Sequence, residues 1–256
     1  MKACSNKIGL FSGSTLKLIA ALCMLIDHVG HHLLPSVAIL RIIGRIAFPI
    51  FAFFIAEGCR YTRNKLRYFL MIFISGLLFF AGTYLFSGII FYNVFLNFSI
   101  SILCVYMLQA TKAFIFTGNS GKNKGLNVII LAFAYLAILV GAYFVFEGVS
   151  IEYGFFGMMI PVLLNLVDLK EFVKSEKVEL IDNIYVRVGL VGAMLVAIHV
   201  TGRFSLQIYS LMSLPLLLLY NGQRGVAKLK YFFYIFYPAH IAVIYAIKAG
   251  IEYFAK

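Results

Sequence analysis

The chain has 256 residues, 62% of them hydrophobic, and a mean hydropathy of +0.96. That excludes an ordinary water-soluble domain and fits an all-α, polytopic helical membrane protein. The formal charge of +12 resembles a nucleic-acid signal, but Lys and Arg fall mostly between apolar runs, and no basic stripe interleaved with aromatics lies outside them. Nucleic acid is therefore not an expected partner.

The N-terminal MKACSNKIGLFSGS is too polar for a signal peptide, and the next apolar run has no small-residue cleavage site before Asp27. It reads as a retained first helix with a cytoplasmic N-terminus, marked by Lys2, Lys7 and Lys17. This helix runs from Leu16 to a hairpin around Pro35 and carries Asp27, His28, His31 and His32. The second, about Val37 to Cys59, carries Arg41, Arg45 and Glu57, and Pro49 inside it predicts a kink. Glu57 is expected to pair with Arg60 three residues on.

Arg60, Arg63, Lys65 and Arg67 mark a cytoplasmic turn before the third helix, about Tyr68 to Phe86. The fourth, about Ile89 to Gln109, contains Asn93 and Asn97, where a break is expected. Lys112, Lys122 and Lys124, among glycines, read as a flexible cytoplasmic loop. The fifth helix is about Val128 to Phe146, the acidic link Glu147 to Glu152 suits the outside, and the sixth is about Tyr153 to Val167. The mixed-charge run Asp168 to Asp182 reads as a short surface helix. The seventh helix is about Val186 to Val200, the eighth about Phe204 to Tyr220 and the ninth about Tyr231 to Tyr253. Every basic cluster then falls on one side, which predicts about nine spans and a single transmembrane domain over 1–256, with the C-terminus outside.

A charge at the centre of a membrane helix costs about 2.5–3.5 kcal/mol on insertion scales, so it normally has a partner and a role. At about 1.5 Å per residue, Asp27, His28 and Arg45 come to similar depth, with Arg41 level with His31 and His32. Arg41 and Arg45 share a helix face, being four residues apart. His199 and His240 reach the same layer from two other helices. Spacing alone thus predicts a polar site between the first two helices. Histidine is a general base near neutral pH, a carboxylate beside it orients the ring, and arginines stabilise an oxyanion or grip an anion. His28 and His240 remain equal candidates for the base. Cys4, Cys23, Cys59 and Cys104 show no paired spacing, so neither a disulfide framework nor a CxxC metal site is expected. No metal is expected from the histidines either, since no HxxEH-type pattern occurs.

The string LKLIAALCMLIDHVG, then LRIIGRIAFPIFAFFIAEG followed by RYTRN, resembles the start of the TraX family. EYGFFG (152–157), LYNGQRG (219–225) and KYFFYIFYPAHIAVIY (230–245) extend the resemblance in order over nearly the whole chain. The family is associated with N-terminal acetylation of pilin and is similar to polytopic membrane acyltransferases that use cytoplasmic acyl-CoA. The resemblance implies a bacterial inner-membrane acyltransferase with acetyl-CoA as donor. Its acceptor would be a surface or exported molecule such as a pilin N-terminus, a glycan or a lipid. In that reading Asp27, His28, His240, Arg45 and Arg41 form the catalytic group. Asn221, Arg224, Lys228 and Lys230 hold the donor's phosphates, and His31, His199, Tyr153 and Tyr237 line the site. The rival readings are a transporter or flippase using the same buried charges, and a non-catalytic assembly factor for a surface structure.

Overall fold

The computed structural model describes residues 9–88, 93–117, 124–149, 151–170, 172–173, 175–202, 205–226 and 229–254. It is 83% helical, with no strand among the described residues. The helices are α1 (Gly13–His32), α2 (Ala38–Gly44), α3 (Ala47–Tyr61), α4 (Lys65–Ser87), α5 (Val94–Thr117), α6 (Lys124–Val149), α7 (Gly154–Leu166), α8 (Glu176–Ile181), α9 (Ile184–Thr201), α10 (Ser213–Leu218) and α11 (Leu229–Phe254). A 3-10 stretch, Ser205–Met212, leads into α10.

Among the described residues, six helical runs are long and apolar enough to cross a membrane: α1, α2 with α3 as one run, α4, α5, α6 and α9. The expected count of about nine includes two apolar runs, Gly154–Leu166 and Leu206–Leu218, that are shorter than a crossing requires. At about 1.5 Å per residue α7 is only about 20 Å long, against about 30 Å of hydrocarbon. Yet α7 is enclosed, packing on α3, α5, α6 and α9. By contrast, none of the central window of α6 is buried. A helix apolar all round and uncovered suits lipid rather than water.

Helix ends follow from their capping residues. Ser12 Oγ accepts from the Thr15 amide and Asn64 Oδ1 from that of Arg67; Asn183 Oδ1 does the same for Val186. Asn93 stands before α5, its Oδ1 accepting from Phe95 N at 2.9 Å and its Nδ2 donating to Gly76 O at 2.9 Å. The fourth helix therefore starts at Val94, later than expected, and residues 89–92 lie outside the described set.

Near Pro49, where a kink is expected, the helix tightens locally without leaving the helical conformation, Arg45 N and Ile46 N bonding carbonyls three residues back. Arg45 and Ile46 form a turn between α2 and α3, and Pro49 sits in the first turn of α3, where a missing N–H costs nothing. The proline ring would meet the carbonyl four residues back, that of Arg45, so the four-residue ladder gives way there. Lys112 is not in a loop. Helix α5 continues to Thr117, and the buried Lys112 ammonium donates to the carbonyls of Asn165, Leu166 and Asp168 at the end of α7. Cys23, Cys59 and Cys104 are buried free thiols.

Candidate functional site

Helices α1 and α2 approach closely at two glycines, Gly30 and Gly44. A Cβ added to Gly44 would lie 2.1 Å from the Asp27 Cβ, and one on Gly30 would lie 2.7 Å from that of Leu40. This close approach carries Asp27 into the arginine face of α2. Arg41 Nη1 donates to Asp27 Oδ2 at 2.7 Å, and Arg45 Nη2 donates to Oδ1 at 2.5 Å. Arg45 also donates through Nη1 to Gln207 Oε1 and through Nε to the Arg41 carbonyl. One buried carboxylate thus serves two guanidiniums, each oxygen taking one.

Asp27 does not orient an imidazole as the sequence suggested: among the described residues its oxygens meet Arg41 and Arg45, and the imidazoles bond elsewhere. The imidazoles are held by backbone. His28 Nδ1 lies 2.8 Å from Met24 O, and His240 Nδ1 lies 2.8 Å from Phe236 O, each four residues back along its own helix. A carbonyl accepts only, so both Nδ1 atoms carry hydrogen. His240 Nε2 lies 3.2 Å from His28 Nδ1 and must then be the acceptor of a proton shared with Met24 O. His28 Nε2 is left with a lone pair. The two histidines are thereby distinguished: His28 presents an uncommitted Nε2, while the Nε2 of His240 is occupied by the proton shared with His28.

A third wall comes from the turn before α7. Tyr153 has φ 64°, the one non-glycine with positive φ among the described residues. That conformation costs an L-residue about 1–2 kcal/mol. Irregular backbone at this depth needs its carbonyls satisfied from within the protein. Asn97 Nδ2 does this, donating to Glu152 O at 2.8 Å and Gly154 O at 3.0 Å. The Tyr153 ring stacks on Phe48 with 3.6 Å between centroids. Glu152, expected in an outer acidic link, is drawn inside. Burial pushes its carboxyl up to about 7, against the opposing pull of Arg45.

Several of these groups share one cavity of about 720 Å³, with Arg41, Arg45 and His240 outside its lining. Asp27, His28, Gly44, Glu152, Tyr153 and Tyr237 line its inner end, and Lys17, Arg63 and Arg224 line its other end. From Gly13 to His28 along α1 the cavity runs about 22 Å. Lys17 lies over the rings of Phe54 and Phe233, at 5.3 and 5.5 Å, and within electrostatic reach of Arg224. Among the described residues no carboxylate forms an ion pair with Lys17, Arg63 or Arg224. Three unneutralised cations at one rim suit a polyanionic ligand.

The loop bearing Arg224 is built rather than slack. Phe11 pairs with Tyr220 as a β-bridge, Gly13 N donates to Gln223 O, and Val226 N donates to Ser14 Oγ. Gly225, at φ 76°, leaves no room for a side chain against Ser14. Asn221 shapes the loop through Gln223 N rather than lining the cavity. Lys228, and the side chain of Lys230, lie outside the described residues.

Not every expected residue arrives. His199 lies on α9, away from the cavity lining, with Nδ1 buried and unpaired. His31 is exposed and packs on His32, with 4.6 Å between centroids. Glu57 does not pair with Arg60: it accepts from Arg187 Nη1 at 2.8 Å, while Arg60 reaches Asp168 at 2.9 Å and Asp182 at 3.3 Å. Arg187 Nε also donates to Asp182 Oδ1 at 2.7 Å. This second buried charge network ties α3 to the start of α9. Among the described residues no group of three His, Cys, Asp or Glu is placed to hold a metal.

A model of the TraX protein family matches residues 12–248. The chain belongs to the TraX family. A protein of Dichelobacter nodosus named probable fimbrial assembly protein FimC is 26% identical over 274 residues, covering 94% of this chain and 98% of that protein. An uncharacterized protein of Rickettsia prowazekii (strain Madrid E) is 48% identical over 52 residues, 20% of this chain and 21% of its own length. This chain therefore spans about a fifth of that second relative. No solved structure matches. The strings that carried the TraX resemblance all fall on the site. GRIAFPIFAF is the α2–α3 junction, EYGFFG the left-handed turn, LYNGQRG the docked basic loop, and FYPAH the α11 segment presenting Tyr237 and His240.

Proposed function

We propose that this TraX-family chain is an acyltransferase of the bacterial cytoplasmic membrane. It moves an acetyl or similar acyl group from cytoplasmic acyl-CoA to an amine or hydroxyl of an exported or surface acceptor. The observation that carries this reading is the single cavity joining a rim of unpaired cations to the free nitrogen of His28. In this reading the basic rim faces the cytoplasm and takes the donor's phosphates through Lys17, Arg63 and Arg224. The acyl arm runs about 22 Å inward along α1, past Phe54 and Phe51. The thioester comes to rest beside His28.

The chemistry then needs few groups. His28 Nε2 takes the proton from the attacking nitrogen or oxygen of the acceptor. The new bond to the thioester carbon forms, the carbon–sulfur bond breaks, and the imidazolium returns the proton to the CoA thiolate. The Met24 carbonyl keeps His28 in the productive tautomer, and His240 packs against it as a second acceptor for the Nδ1 proton. Asp27 with Arg41 and Arg45 locks α1 to α2, which sets the position of His28, one residue on from Asp27. The family and the name of the Dichelobacter relative favour a pilus-related acceptor, with a glycan or a lipid as alternatives.

The test uses the full chain purified into lipid nanodiscs with acetyl-CoA and amine-bearing or hydroxyl-bearing acceptors. Free CoA thiol should appear in step with an acetyl adduct on the acceptor, and His28→Ala should abolish both while acetyl-CoA still binds. A chain that binds no acyl-CoA yet moves solute across vesicles would replace this reading with a transporter.

A further inference from the structure

Acyl transfer requires a hydrogen-bond donor for the thioester oxygen as it gains negative charge. The sequence offers Arg41 and Arg45 for this, but the fold commits both to Asp27, and neither side chain lines the cavity. Another donor must face the reacting carbonyl. We propose that Tyr153 is that donor: its hydroxyl hydrogen-bonds the thioester oxygen while the acceptor attacks. The assignment rests on the acyl-transfer reading above.

Four observations support it. Tyr153 lines the same end of the cavity as His28 and Gly44. Among the described residues no hydrogen bond reaches its hydroxyl, while the neighbouring Arg45 guanidinium and Asn97 Nδ2 are taken by other partners. Its backbone is held in an unfavourable conformation, φ 64°, which persists because Asn97 grips the carbonyls on either side. Its ring is fixed by the 3.6 Å stack on Phe48 and by Gly157, where a Cβ would lie 2.6 Å from that of Tyr153. A turn that merely connected two helices would need neither the strain nor the clamp.

The step balances without a further reactant. The acceptor's lone pair forms the bond to the carbonyl carbon, and the carbonyl π pair moves onto oxygen, where the Tyr153 O–H donates without transferring its proton. Collapse restores the carbonyl and expels the thiolate, which takes the proton held by His28.

Tyr153→Phe keeps the ring, the stack and the turn, and removes the donor alone. In the nanodisc assay with acetyl-CoA its turnover should fall by about 100-fold or more. Acetyl-CoA affinity should stay within about twofold, because the bond strengthens only as charge develops. Tyr143→Phe, on the uncovered helix α6 and outside the cavity lining, should keep turnover within a few-fold. Equal loss of affinity and turnover in Tyr153→Phe, or full turnover, overturns the assignment. An active wild type matched by Tyr153→Phe overturns it alone; a wild type that releases no thiol overturns the acyl-transfer reading with it.

Discussion

Replacing Asp27 by Asn removes one charge and strands two. The Asp27 side chain is 11% exposed, Arg45 is 12% exposed and Arg41 is 26% exposed. Removing one partner of a buried pair costs about 3–5 kcal/mol, mostly because the other charge is left uncompensated. Asp27→Asn should reach that range. Arg45→Gln leaves the carboxylate with Arg41, so its cost should be nearer that of one hydrogen bond to a charged group, about 1.5–3 kcal/mol. Arg41 is the most open of the three, and solvent screening should bring Arg41→Gln below about 1.5 kcal/mol. The order Asp27→Asn, then Arg45→Gln, then Arg41→Gln should appear in SDS-denaturation midpoints measured in mixed micelles. In the Asp27→Asn, Arg45→Gln double variant the costs should fall short of their sum by about 1.5 kcal/mol. The shortfall is partial because Arg41 remains unpaired. Additive losses, or an Arg41→Gln cost above that of Asp27→Asn, would refute the shared-carboxylate geometry.

Gly44→Ala should destabilise the chain about as strongly as Asp27→Asn, since its Cβ falls 2.1 Å from that of Asp27; an unchanged melting temperature would contradict the tight α1–α2 approach. Glu152 holds its proton up to about 7 in the folded chain, whereas an unfolded chain loses it in the ordinary carboxylate range. Between those limits the folded state binds more protons, so stability should fall as pH rises toward about 7. Glu152→Gln should flatten that slope in thermal melts. Lys17→Ala with Arg224→Ala should weaken acetyl-CoA binding by calorimetry and reduce its salt sensitivity, because phosphate contacts are screened by salt; unaltered binding would remove the donor from the basic rim.

The sequence shows much of the main site because charges inside apolar helices stand out. Asp27, Arg41 and Arg45 are found by depth and by their four-residue spacing, and His28 and His240 by type. Their connectivity is less visible. Helical arithmetic sets Arg41 a layer away from Asp27, whereas the close α1–α2 approach at Gly44 lets both arginines, four residues apart on one face, reach the carboxylate. A short acidic link suggests the outer side of the membrane and carries no sign that Glu152 lines the cavity, which follows from the packing of the turn before α7. The Arg187–Glu57 pair joins residues 130 apart, a contact with no local signature. Lys112 was assigned to a loop because glycines follow it closely, while the helix runs on and uses the lysine as a cap for α7.

The most direct test of the central claim follows a labelled acetyl group. The full chain in nanodiscs, given acetyl-CoA labelled on the acetyl carbon and a pilin-like peptide with a free N-terminus, should yield a labelled peptide by mass spectrometry. His28→Ala should yield none while still binding acetyl-CoA. Label remaining wholly on CoA with the peptide and with hydroxyl-bearing glycan or lipid acceptors alike would contradict the account.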